Sequence, residues 1–234
     1  MLSRNGPLII LSLALDNNID RMVRIRLSIS VGQLGNRSVV DQLLSLVPDQ
    51  GVDRFVRAGV AEAVGLLGDP AAAEMMVSML RDPRLSDFVR RVIADAVGAL
   101  GSKDVSTELI AILDDAWMPA SIRGRVAVAL GQLGERRCLP KFLAPLEDRH
   151  IDRAMWRDVA ATMIPLADRS SSEYLPRIAV LLPSTGIPNP LYDLAQHMAG
   201  VGGQIVTPEQ IGLPTIEHLW VETSRTERIV DQLP

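Results

Sequence analysis

The chain has 234 residues, 47% of them apolar and 22% charged, which is ample for one elongated domain or one domain with an appendage. Its formal charge of −4 argues against a dedicated nucleic-acid binder, which is usually basic. Its single cysteine, Cys138, excludes an internal disulfide framework and fits a reducing cytoplasm.

The chain opens on an apolar segment, Pro7 to Leu15, that reads as a helix. Leu8 to Leu15 after Arg4 mimics the apolar stretch of a signal peptide. However, Ile10, Leu11, Ala14 and Asp16 fall in the register of the repeats that follow, and no small-x-small cleavage site comes after them. No apolar run reaches the length of a membrane span.

From there the pattern repeats. Four segments end in Leu-Gly, and their closing glycines, Gly35, Gly68, Gly101 and Gly134, are 33 residues apart three times running. A fixed period of that length is the mark of a stacked-repeat solenoid. Before each closing glycine the apolar rows Leu27/Val60/Ile93/Val126, Val31/Val64/Val97/Leu130 and Leu34/Leu67/Leu100/Leu133 trace one stripe of an amphipathic helix, helix A. A small row, Ser30/Ala63/Ala96/Ala129, lies between them.

Three residues before each closing glycine stands another: Gly32, Gly65, Gly98 and Gly131. A glycine inside a helix costs roughly 1 kcal/mol relative to alanine, so this row predicts a neighbouring helix too close for a side chain. No strand precedes these glycines, as a phosphate-binding loop would require. The closing glycine fits the left-handed position that ends helix A.

After it comes helix B, with the rows Leu43/Met76/Leu109/Phe142, Leu44/Val77/Ile110/Leu143 and Val47/Leu80/Leu113/Leu146. Each B helix runs into an aspartate: Asp16, Asp49, Asp82 and Asp115, then Asp148. Arg24, Arg57, Arg90 and Arg123 follow the first four at a spacing of eight. An aspartate there can accept from turn amides, and the arginine can bridge to a stacked neighbour. These residues read as a structural ladder rather than an arginine row for an anionic ligand, since each arginine arrives with its own acid.

A degenerate fifth A helix is expected over Arg153 to Leu166, with Trp156 in the arginine position and Ala167 in that of the glycine. Beyond Asp168 the periodicity dissolves. Glu173–Leu182 and Pro190–Ala199 read as helices, Gly202–Leu213 as loop, and Ile216–Leu233 as a helix pair or a small hairpin, with helix favoured. The expected division is a solenoid over 1–167 and a degenerate repeat, cap or interaction arm over 168–234. The predicted fold is all-α: a right-handed α-α superhelix of the HEAT/armadillo-like kind, with about five hairpins.

The motif Val-Arg-x-x-(Leu/Val/Ile)-(Ser/Ala)-x-(Ser/Ala)-(Val/Leu)-Gly-x-Leu-Gly, as in Val56–Gly68 and Val89–Gly101, resembles the short HEAT repeats of the phycobilisome-lyase type, across about residues 7–167. Ankyrin repeats are disfavoured because no Thr-Pro-Leu-His box is present, and tetratricopeptide repeats because aromatics are only 3% of residues. The resemblance implies, as one alternative, a subunit of a bilin lyase, enzymes that work as heterodimers around a tetrapyrrole. A nucleic-acid-binding HEAT-like protein is the other alternative, with Arg26, Arg54, Arg91 and Arg125 enriching the A helices.

No catalytic, cofactor or metal constellation is legible. His150, His197 and His218 are scattered and never adjoin a glutamate, unlike the His-Glu pairs of di-iron helical-repeat hydroxylases, and no Cys/His spacing suits zinc. Cys138 opens a B helix and reads as a semi-buried packing residue.

The expected functional surface is the exposed row of the B helices, on the concave side of such solenoids: Asp41, Gln42, Ser45; Glu74, Met75, Ser78; Thr107, Glu108, Ala111; Lys141, Ala144. It is polar and mildly acidic, with a small row, Ser45/Ser78/Ala111/Ala144, that lets a helix or peptide approach. The expected function is therefore a non-catalytic protein-binding scaffold, adaptor or sensor module of a larger bacterial polypeptide, cytoplasmic and without cofactor. The apolar first helix lacks an A partner. It predicts that the chain continues in a longer protein or is capped by another molecule, a homodimer through that helix included.

Overall fold

The computed structural model describes residues 5–142 and the positions Val159, Thr162, Met163 and Leu166. Among the described residues, eight α-helices of residues 6–132 alternate between two roles. The B helices are α1 (Gly6–Leu15), α3 (Val40–Leu46), α5 (Ala73–Leu80) and α7 (Ser106–Leu113). The A helices are α2 (Arg21–Gln33), α4 (Arg54–Leu67), α6 (Asp87–Leu100) and α8 (Ala120–Gln132). Each A helix packs on the next, α2 on α4, α4 on α6 and α6 on α8, and each B helix packs on the A helix that follows it. The result is an all-helical stack, with no strand among the described residues.

The turns explain why the period never slips. Every closing glycine is left-handed, with φ of 70° at Gly35, 61° at Gly68, 70° at Gly101 and 72° at Gly134. An L side chain resists that conformation, so glycine is the natural residue there. A 3-10 turn follows and leads into helix B, as in Arg37–Val39 before α3 and Pro70–Ala72 before α5. At the other end, the Asp20 and Asp53 carboxylates and the Ser86 hydroxyl accept from the first free amides of α2, α4 and α6. Such caps are each worth about 1 kcal/mol.

The interior is built layer by layer from the rows read off the sequence. Val60, Ile93 and Val126, like Leu43, Met76, Leu109 and Phe142, are fully buried. Val159, Met163 and Leu166, also buried, stand 33 residues after Val126, Leu130 and Leu133, and the first two are helical, so the register extends into the expected fifth A helix. Trp156, Ala167, Leu143, Ala144, Leu146, Asp148 and the whole of 168–234, with the helices, loop and cap expected there, lie outside the described residues.

The second glycine row sets the spacing between layers. A Cβ on Gly32 would stand 2.6 Å from the Ala63 Cα, one on Gly65 2.9 Å from the Ala96 Cα, and one on Gly98 3.0 Å from the Ala129 Cα. Gly131 instead meets the Thr162 side chain, and a Cβ on Gly98 would also meet the Gln132 side-chain amide. Gly32, Gly65 and Gly98 thus meet the backbone of the small row Ala63/Ala96/Ala129 on the next A helix. Replacing Gly98 by leucine must push α6 off α8. We expect a loss of about 1–3 kcal/mol or more in urea unfolding. An unchanged midpoint would mean that the helices have room to spare.

Candidate protein-binding face

The B helices are short and bury the face that meets the A layer. Their opposite face carries the candidate site. Asp41, Gln42 and Ser45 on α3, Glu74, Met75 and Ser78 on α5, and Thr107, Glu108 and Ala111 on α7 are all exposed, Met75 by 51%. The Ser45 hydroxyl donates to the Gln42 carbonyl and the Ser78 hydroxyl to the Met75 carbonyl. Both hydroxyls are thus folded onto their own helices. The small row runs as a low track between two rows that carry Asp41, Glu74 and Glu108. Lys141 is only half exposed, and its ammonium donates to both Asp114 carboxylate oxygens, at 2.7 and 2.5 Å, tying one B layer to the previous one. Ala144 falls outside the described residues.

Asp16, Asp49, Asp82 and Asp115 each accept from the amide two residues on, at Asn18, Gly51, Arg84 and Trp117. The four turns are therefore built alike. The arginine row engages other partners. Arg24 donates to Asn17 and Arg90 pairs with Asp87, while Asp82 holds Arg84 in a two-pronged contact. Arg84 holds the Asp82 carboxyl below the usual carboxylate range. Arg57 is only 6% exposed, and its Nε and Nη1 have no hydrogen-bond partner. Arg24 and Arg90 thus take hydrogen-bond partners nearer than the aspartate eight residues before each, although the Arg90 charge still helps to lower the Asp82 carboxyl.

Charge on the A side is largely engaged. Arg21 and Arg54 stack on the Phe55 ring, at 5.0 and 4.8 Å, and Arg125 pairs with Asp95. Sequence reasoning missed two features. Arg37 donates to the Leu67 and Gly68 carbonyls and so clips one hairpin to the end of the next A helix. Trp117 is 95% exposed at the α7–α8 turn, in the row Asn18/Gly51/Arg84. A tryptophan in a row of small and polar turn-tip residues was the available signal. Among the described residues no group of His, Cys, Asp and Glu could hold a metal ion, and no helix is long and apolar enough to cross a membrane.

Cys138 ends the 3-10 turn Arg136–Cys138 and is fully buried, where a semi-buried position was expected. Burial pushes its thiol up to about 11, from an ordinary value of 9.0. The folded chain holds this proton more tightly than the unfolded one. Its contribution to stability is therefore complete below pH 9.0 and is lost as pH rises through about 11. Wild type should lose its advantage over Cys138→Ala in that window, and should react with a thiol reagent at pH 8 only on unfolding. Rapid labelling of the native chain would contradict this placement.

Comparison with known proteins agrees with the geometry. Residues 10–88 match the family described as HEAT repeats. No curated protein matches the chain. A chain in the structure of the complex of CpcE and CpcF of phycocyanin lyase from Nostoc sp. PCC7120 is similar over 90% of this chain and 94% of that one, with a TM-score of 0.54 and 18% identity. That identity supports a shared fold and nothing finer. Residues 10–88 are therefore HEAT repeats, the described hairpins continue beyond them in the same register, and the likeness to the phycocyanin lyase structure shows a shared fold.

Proposed function

We propose that the chain is a non-catalytic scaffold or adaptor that binds a helix or extended peptide of another protein along the outward row of its B helices, in the cytoplasm. The observation that carries this reading is the track at Ser45, Ser78 and Ala111, exposed and with both hydroxyls turned inward. A low track admits a backbone closely, exposed Met75 offers an adaptable apolar contact, and the acidic flanks favour a partner with basic residues at its rim. A phosphate backbone would meet Asp41, Glu74 and Glu108 there and be repelled.

A second reading draws on the fold shared with the phycocyanin lyase structure: a subunit of a bilin lyase. It predicts a change in visible absorbance when the chain is mixed with a phycocyanobilin-type bilin. A featureless difference spectrum removes it.

The main reading is tested by co-purifying partners from the native host and repeating the measurement with Ser45→Trp/Ser78→Trp. Both sites are exposed, so the melting temperature should hold. Affinity for the direct partner should fall about tenfold or more, the 1.4 kcal/mol that bulky groups on the track would cost. Retention of the same partners at the same affinity would place binding elsewhere.

A further inference from the structure

The first three A helices carry at their N-terminal ends a patch that the repeat itself does not require. In stack order their first helical positions are Arg21, Arg54, Asp87 and Ala120, and their second are Met22, Phe55, Phe88 and Ser121. The Phe55 and Phe88 rings, both half-buried, lie 5.2 Å apart, and Met22, one layer earlier in the same row, is 56% exposed. The exposed side chains of Arg21 and Arg54 both place their guanidinium over the Phe55 ring, at 5.0 and 4.8 Å. Helix α8 buries Ile122 and Val126 fully with Ala120 and Ser121 in these places. Packing alone therefore does not call for arginine and phenylalanine there.

Stacking on a ring uses the face of a guanidinium and leaves its N–H donors free for a carboxylate. Among the described residues neither Arg21 nor Arg54 has a hydrogen bond or an ion pair, whereas Arg84, Arg90, Arg125, Arg137 and Lys141 each pair with an acid. The carboxylates beside the patch in sequence are already engaged. Asp20 accepts from the Met22 and Val23 amides, Asp53 from those of Phe55 and Val56, and Asp87 pairs with Arg90. We propose that this patch, independently of the B-helix row, binds an acidic segment of a partner protein. Its carboxylates would pair with Arg21 and Arg54, and an apolar side chain would lie against Phe55 and Phe88. Charge complementarity fixes this choice of occupant, and it is opposite to that of the B-helix row, which Asp41, Glu74 and Glu108 flank. A nucleic-acid strand gains too little from two arginines on a chain of net charge −4.

The probe is a phage-displayed library of random peptides selected on the full chain, with the selected peptides then made synthetically, labelled with fluorescein and titrated by anisotropy. The expected result is enrichment of sequences in which Asp or Glu adjoins an aromatic or aliphatic residue. Their binding should weaken as salt is raised, because the pairs are exposed. It should also weaken about tenfold or more with Arg21→Glu/Arg54→Glu, and be unchanged with Ser45→Trp/Ser78→Trp. Both arginines are exposed, so the melting temperature should hold; Arg21→Gln/Arg54→Gln, which removes the charge without reversing it, should lose affinity in the same direction. Failure to enrich acidic peptides overturns the proposal, as does equal binding of those peptides to both arginine variants. Selection of basic peptides alone, lost with Ser45→Trp/Ser78→Trp, overturns it while supporting the B-helix row. Binding of a labelled oligothymidylate as tight as that of the acidic peptides, and lost with Arg21→Glu/Arg54→Glu, assigns the patch to nucleic acid and overturns it too.

Discussion

Everything in this structure depends on a contact that has no side chain on one side. Gly32, Gly65 and Gly98 let the backbone of one A helix rest on the Cα of Ala63, Ala96 and Ala129. At that separation the flanking aliphatic rows interdigitate, and Val60, Ile93 and Val126 are fully excluded from water. Burying such side chains stabilises by about 1.5–3 kcal/mol each, which outweighs the roughly 1 kcal/mol that a mid-helix glycine costs. Close packing therefore wins over helix propensity, and it does so once per layer.

The contact also explains the division of labour between the two layers. The A helices are committed to one another through a tight, small-residue interface that tolerates little change. The B helices bury only their inner face. Their outward positions are free to vary without touching the stack, as Asp41, Glu74 and Thr107 do along one row. A surface whose composition is uncoupled from the core is where a repeat protein can acquire a binding specificity.

The helices and their packing rows were legible because a 33-residue register repeats each signal four times. One glycine three residues before another is weak by itself, whereas four pairs in phase are not. What the pattern could not give was the direction of long side chains. Asp16, Asp49, Asp82 and Asp115 do close their turns. Yet Arg24 and Arg90 donate to Asn17 and Asp87, because an arginine side chain has four rotatable bonds and chooses among acceptors that periodicity does not specify. Lys141 was legible as a B-face residue but not as a partner of Asp114.

The most direct measurement is the stability of Gly65→Ala. Helix propensity alone predicts a gain of roughly 1 kcal/mol. The packing account predicts a net loss, because the new Cβ would meet the Ala96 Cα at 2.9 Å, its Cβ at 3.0 Å and its carbonyl oxygen at 3.2 Å. A lowered melting temperature agrees with the account, and a raised one contradicts it.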